Sequence, residues 1–226
     1  MTRLPIPAWG LYAITREGYP DMPGLVDAVS AAIRGGAAIV QYRAKNPLDA
    51  WAEASALLEV CHAAGVPFIV NDDVGLAAGI GADGVHLGRH DVALAEARER
   101  LGADAIIGVS CYDSVECAVQ AEALGASYVA FGRFFSSHTK PDAPCAYLQT
   151  LTEARKRVGL PIVAIGGITA RNGGALVSAG ADLLAVIDGV FGAADPESAA
   201  REFRSLWPLG FHTNAHATQY FFSGFG

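Results

Sequence analysis

Residues 67–73 read Pro67-Phe68-Ile69-Val70-Asn71-Asp72-Asp73, four apolar residues that give way without a break to three polar ones. So short an apolar run, rich in β-branched and aromatic side chains, reads as a strand covered on both faces, the usual state of a parallel sheet. The polar residues then mark the end of that strand as a place for chemistry. The same grammar recurs along the chain. Strand-like runs lie at 10–14, 38–42, 67–70, 84–87, 106–109, 128–131, 161–165 and 183–187. Between them come amphipathic stretches such as 25–34, 47–64, 92–101, 114–124, 146–158 and 171–179. Within the second, Trp51, Ala54, Leu57, Leu58 and Cys61 recur at three- and four-residue steps, which turns one face of a helix inward.

Eight strands alternating with at least seven helical segments predict an α/β protein, a single-domain (β/α)8 TIM barrel over residues 1–207. An open doubly wound sheet is the alternative, less suited to eight strands of such even spacing. The stretch 208–226 differs: it holds Phe211, Tyr220, Phe221, Phe222 and Phe225 and no charged residue. It reads either as a frayed tail or as a segment packed on the barrel or on a neighbouring subunit of a homodimer.

Composition narrows the function classes. With 226 residues, 52% hydrophobic and 17% charged, the chain can bury a full core and is not a disordered polymer. A net charge of -7 argues against a broad nucleic-acid or anionic-membrane surface, so an anionic ligand has to be held by a local cluster. Cys61, Cys111, Cys117 and Cys145 form no C-x-x-C pair and have no His cluster at zinc spacing, which predicts reduced thiols in a cytoplasmic enzyme. No apolar stretch approaches the ~20 residues of a membrane helix.

Barrels of this kind carry their chemistry at the C-terminal ends of the strands. Polar residues gather at those ends. Gln41, Arg43 and Lys45 alternate along an extended stretch, so two cations and an amide on one side can wrap a pyrophosphate. A solvated strand end is the plainer reading. Asp72 and Asp91 follow adjacent strands, and two carboxylates with an open face suit Mg²⁺, although either can instead cap a helix. Gly166-Gly167 and Asp188-Gly189 lie in the two loops that bind phosphate in this fold, each expected to precede a helix. His86 is expected as a packed, hydrogen-bonded barrel residue. Ser110, with no base near it in sequence, reads as a hydrogen-bonding group and not as a nucleophile.

These segments, in order, resemble thiamine phosphate synthases from Leu11 to about Phe203. Q-Y-R-A-K at 41–45 is similar to the family's Q-x-R-x-K. The stretch 71–91 resembles its N-D…G-A-D-G-V-H-L-G…D segment, and G-V-S at 108–110 matches its strand-five end. G-R-F-F-S-S-H-T-K at 132–140, A-I-G-G-I at 164–168 and A-V-I-D-G-V-F-G-A-A-D-P at 185–196 complete the series. The resemblance implies joining of a pyrimidinylmethyl diphosphate to a thiazole phosphate, with release of pyrophosphate. It implies that Gln41, Arg43, Lys45, Asn71 and Lys140 hold the diphosphate substrate and that Asp72 and Asp91 hold Mg²⁺. Ser110 would contact the pyrimidine, while Ser137, Thr139, Gly167, Ile187 and Asp188 would bind the thiazole phosphate. Arg43, Ser110 and Lys140 are the implied catalytic groups. Asp188, Arg133, Tyr112 and Gly75 depart from the family's usual Ser, Pro, His and Asp. A thiazole tautomerase-like enzyme or a non-catalytic thiazole phosphate binder is the alternative.

Overall fold

Each strand pairs in parallel with the next in sequence, and the last pairs back with the first, so the sheet closes on itself. The computed structural model describes residues 3–88, 94–136 and 145–207. Its strands are β1 (Gly10–Ile14), β2 (Ala37–Tyr42), β3 (Phe68–Asn71), β4 (Gly84–Leu87), β5 (Ile106–Tyr112), β6 (Tyr128–Phe131), β7 (Ile162–Ile165) and β8 (Leu183–Val186). Around them run α1 (Met22–Gly35), α2 (Ala50–Ala63), α3 (Val74–Ile80), α4 (Leu94–Leu101), α5 (Val115–Ala123), α6 (Leu148–Arg157), α7 (Gly173–Ser178), α8 (Asp188–Phe191) and α9 (Pro196–Phe203). The (β/α)8 expectation holds, and the open sheet is excluded by the β1–β8 pairing. The aromatic stretch 208–226 lies outside the described residues.

Helix starts follow side-chain chemistry. Asp21, Asp49, Asp73, Ser114 and Asp195 each accept a backbone N–H from the first turn of the helix they precede. Strand β5 and helices α3 and α9 differ from the sequence reading, α9 (Pro196–Phe203) lying beyond the last stretch given above. Strand β5 extends to Tyr112, with a register irregularity between Ser110 and Tyr112. Helix α3 is absent from the amphipathic stretches above because Val74–Ile80 contains two glycines and little periodic contrast. Packing overrides that weak propensity. A Cβ on Gly79 would lie 2.5 Å from the Trp51 ring, so the indole of α2 sits directly on this helix.

Two apolar layers result. One fills the space between strands and helices, and the other, with Tyr12, Ile39, Ile69, Ile106, Tyr128, Val163 and Leu183, fills the barrel itself. Gly108 makes room for the largest of these inner side chains. A Cβ there would stand 1.9 Å from Cζ of Tyr128. Gly108→Ala is therefore expected to destabilise the protein by about 3 kcal/mol through overpacking. Urea denaturation checks this, and an unchanged midpoint would show that the Tyr128 ring has space to retreat.

The N-terminal end of the barrel is closed by a buried carboxylate. Asp83 is fully buried and accepts the N–H groups of Leu4 (2.7 Å) and Phe68 (2.8 Å), with His62 Nε2 at 2.9 Å. Arg3 donates to the carbonyls of Ala82 and Leu101. Nearby on β8's side, Trp207 Nε1 donates to the Asp182 carbonyl and its ring packs against Trp9. Cys61, Cys111, Cys117 and Cys145 are free thiols, and burial together with the charge of Asp83 pushes the Cys61 thiol up. Among the described residues, no helix is long and apolar enough to cross a membrane.

Candidate active site

Toward the opposite end of the barrel the inward-facing side chains change from apolar to polar. Along β2 the sequence of inward residues is Ile39 then Gln41, along β3 Ile69 then Asn71, and along β5 Ile106, Gly108 and Ser110. The change produces a cavity of about 230 Å³ at the C-terminal ends of the strands. Gln41, Arg43, Asn71, Asp72, Ser110, Gly167, Ile187 and Asp188 all line it, so eight expected residues meet in one place. Asp91, Ser137, Thr139 and Lys140 lie outside the described residues. Lys45 is exposed and is not in the lining; strand β2 stops at Tyr42, and the Lys45 N–H is held by Glu17 (2.6 Å). The alternation expected to put Lys45 on the same side as Gln41 and Arg43 does not extend past the strand.

Thr15, a residue the sequence reading passed over, sets the end of β2. Its buried hydroxyl accepts the Arg43 N–H (2.8 Å) and donates to the Arg43 carbonyl (3.1 Å). The backbone of Arg43 is thus fixed by β1 before its guanidinium enters the cavity. The signal was present: a lone hydroxyl immediately after an apolar strand.

Asp72 occupies the left-handed region, with φ of 63°, and its N–H donates to the His86 carbonyl (2.8 Å). Asn71 Nδ2 donates to its carboxylate at 2.6 Å. Asp tolerates this conformation better than most residues, yet it is uncommon for any L-residue. Tyr112, with φ of 57°, is the other such non-glycine among the described residues, and it too lines the cavity. Of the neighbouring carboxylates, Asp73 and not Asp72 is the helix cap: it accepts the Leu76 N–H at 2.8 Å. That division leaves the Asp72 carboxylate on the cavity side.

Ser110 and His86 meet across adjacent strands. No base is near Ser110 in sequence, but in space His86 Nε2 is 2.8 Å from its Oγ. The other ring nitrogen of His86 is 2.9 Å from the Tyr128 hydroxyl. Thus His86 is the hydrogen-bonded barrel residue expected, and it also lines the cavity.

On the far wall, Gly167 has φ of 62°, and a Cβ there would stand 2.3 Å from the Ser136 carbonyl oxygen. The loop after β6 lies directly on the glycine pair, with Phe134 and Phe135 donating N–H groups to the carbonyls of Ile165 and Gly166. Asn172 ties the β7 loop together, donating to the Gly167 carbonyl (3.0 Å) and accepting the Thr169 N–H (2.8 Å). The glycines precede α7, which starts at Gly173, and Asp188 is itself the first residue of α8. Ser136 and Thr169 also line this wall and were not singled out in the sequence, and Arg133, noted there only as a departure from the family's Pro, lines it too.

Among the described residues, no cluster of three or more His, Cys, Asp or Glu is placed to hold a metal. Mg²⁺ does not require one. It is commonly held by one or two carboxylates, keeping waters and sharing phosphate oxygens. A single carboxylate steadied by Asn71, at the rim of a cavity with Arg43 opposite in charge, fits that chemistry.

Known proteins are similar to this chain in sequence and in fold. A sequence model described as thiamine monophosphate synthase matches residues 11–190. A protein of Methylococcus capsulatus named thiamine-phosphate synthase is 54% identical over 206 residues, covering 90% of this chain and 92% of that protein. Its namesake from Methylobacillus flagellatus is 50% identical over 210 residues, covering 92% of this chain and all of that one (100%). Among solved structures, thiamine phosphate pyrophosphorylase from Pyrococcus furiosus superposes with a TM-score of 0.79 at 34% identity, over 88% of this chain and 95% of that chain. With a family model matching residues 11–190 and nine-tenths of its length aligned to such a relative, the chain belongs to the thiamine monophosphate synthase family.

Proposed function

We propose that the protein transfers the 4-amino-2-methyl-5-pyrimidinylmethyl group from its diphosphate to a thiazole phosphate, forming thiamine phosphate and pyrophosphate. The observation that carries this reading is the convergence of Gln41, Arg43, Asn71 and Asp72 with the β7 and β8 loops on one cavity. The first group suits a diphosphate and the loops suit a phosphate, so the two substrates would be held in a single pocket.

Such a transfer needs no protein nucleophile. Departure of the diphosphate leaves a cation on the pyrimidine methylene, stabilised by the electron-rich aminopyrimidine, and the thiazole nitrogen captures it. The protein's share is to neutralise the leaving group and to hold the partners face to face. Arg43, pinned by Thr15, and Lys140 would bind diphosphate oxygens, and Lys45 would reach them only from the rim. Asp72, with Asp91, would hold Mg²⁺, which when bound supplies further neutralisation of the departing pyrophosphate. Asn71 orients the Asp72 carboxylate. Ser110 and Gln41 would contact the pyrimidine, while Ser137, Thr139, Gly167 and the backbone at Ile187 and Asp188 would contact the thiazole phosphate. A carboxylate next to a phosphate is repulsive, and the exposed position of Asp188 lets its side chain turn to solvent.

The test is formation of thiamine phosphate from both substrates with Mg²⁺ and with EDTA. Product that requires Mg²⁺ supports the reading. A folded protein that binds the thiazole phosphate without forming product points instead to a tautomerase-like enzyme or a silent binder. Arg43→Ala should raise KM for the pyrimidine diphosphate or lower kcat, by about a hundredfold in kcat/KM, with little change in KM for the thiazole phosphate. Equal weakening toward both substrates, measured by steady-state kinetics, would contradict this local role.

A further inference from the structure

Five polar side chains form a hydrogen-bonded chain through the barrel interior. Gln41 Nε2 is 2.9 Å from the Tyr12 hydroxyl, which is 2.8 Å from that of Tyr128. The Tyr128 hydroxyl is 2.9 Å from Nδ1 of His86, whose Nε2 is 2.8 Å from Ser110 Oγ. These residues come from β2, β1, β6, β4 and β5, and all of them line the cavity. The His86 ring stacks on Tyr128 with centroids 5.6 Å apart, and Tyr12 meets Tyr128 edge-on. Gly108 is the residue that lets the Tyr128 hydroxyl occupy the centre of the chain.

Counting protons gives the chain a direction. An amide nitrogen only donates, so the Tyr12 oxygen accepts from Gln41. Tyr12 is buried, and its hydroxyl is partnered by Gln41 and Tyr128, so its single proton passes to Tyr128. Burial pushes both phenols up, and each keeps its proton. The Tyr128 proton then points at Nδ1 of His86, which must accept. A neutral imidazole with a bare Nδ1 carries its proton on Nε2 and donates it to Ser110. The proton of Ser110 itself is left for the cavity, as is the carbonyl oxygen of Gln41, and the second amide hydrogen of Gln41 is the one donor at that end the chain does not engage.

We propose that this array fixes the polarity of the pyrimidine site, with Gln41 as acceptor and Ser110 as donor, and so selects a heterocycle that offers one donor and one acceptor. The inference rests on the proposed pyrimidine substrate and deepens it. Tyr12, Tyr128 and His86 are positioning residues: they hold the two ends in a complementary state from inside the barrel. An aminopyrimidine, with an amine donor beside a ring-nitrogen acceptor, matches that state. Its 4-oxo analogue exchanges donor and acceptor along the same edge and mismatches both ends.

Two measurements test this. In the ligand-free protein, ¹⁵N NMR of labelled histidine should find His86 protonated at Nε2 and bare at Nδ1; a proton on Nδ1 overturns the direction. Calorimetric titration with the aminopyrimidine diphosphate and its 4-oxo analogue should show a preference of about 100-fold for the amine in the wild type. In Tyr128→Phe, which lets both ends reorient, the preference should fall to within about threefold, while the affinity for free pyrophosphate stays the same. A purely structural role for Tyr128 would weaken both pyrimidines equally, so an undiminished preference in the folded variant overturns the array, as does no preference in the wild type. A wild-type protein that binds pyrophosphate and neither pyrimidine removes the proposed substrate, and the array's ligand with it.

Discussion

Asp72→Ala should lower Mg²⁺-dependent turnover by about a thousandfold while leaving a folded barrel, because it removes a carboxylate proposed to face the diphosphate and its metal. The substitution also places Ala in a left-handed conformation, with φ of 63°, at a cost of about 1 kcal/mol. Asp72→Asn separates the two effects. Asparagine tolerates the same backbone and keeps the shape, so its melting temperature should match the wild type while turnover still falls steeply. The readouts are kcat over a Mg²⁺ titration and thermal unfolding of each variant. Near-normal, Mg²⁺-dependent turnover in Asp72→Ala would overturn the metal assignment.

At the other end of the barrel, Asp83→Ala is expected to cost about 4 kcal/mol of stability. The carboxylate is fully buried and receives two backbone N–H groups as well as His62 Nε2. Truncation leaves the buried Phe68 N–H and the part-buried Leu4 N–H and His62 without their acceptor. For a chain of this length the melting temperature should drop by about 10 °C. Activity per folded molecule should be unaffected, since none of the Asp83 partners lines the cavity. Differential scanning calorimetry alongside activity below the transition checks both halves. A drop of under about 2 °C would mean that water or a shifted backbone replaces the carboxylate.

The barrel was legible because its strands are nearly uninterrupted apolar runs, and their polar endings marked the cavity. PFIVNDD stated both facts in seven residues. What stayed hidden depended on contacts across the barrel. Tyr12 and Tyr128 sit in apolar strands 116 positions apart, and nothing local announces that their hydroxyls meet. The Ser110–His86 contact escaped for the same reason, being 24 positions apart on adjacent strands. Whether Asp72 caps a helix or faces the cavity was open in the sequence, and the backbone turn gives the cap to Asp73 instead. The glycine-poor periodicity that identifies helices fails for α3, which is capped by Asp73, buries Val74 and Ala77 and packs its Gly79 under Trp51.

The Asp83 clamp and the cavity lie at opposite ends of the same eight strands, and this separation bears on how the protein can change through descent. Substitutions in the loops around the cavity are screened by what they do to chemistry, whereas those around Asp83, Arg3 and Trp207 are screened by whether the chain folds. A lineage can therefore rewrite one end while inheriting the other intact. Random libraries sorted for solubility should tolerate changes around the cavity that a sort for turnover rejects, while changes around Asp83 should be lost in both.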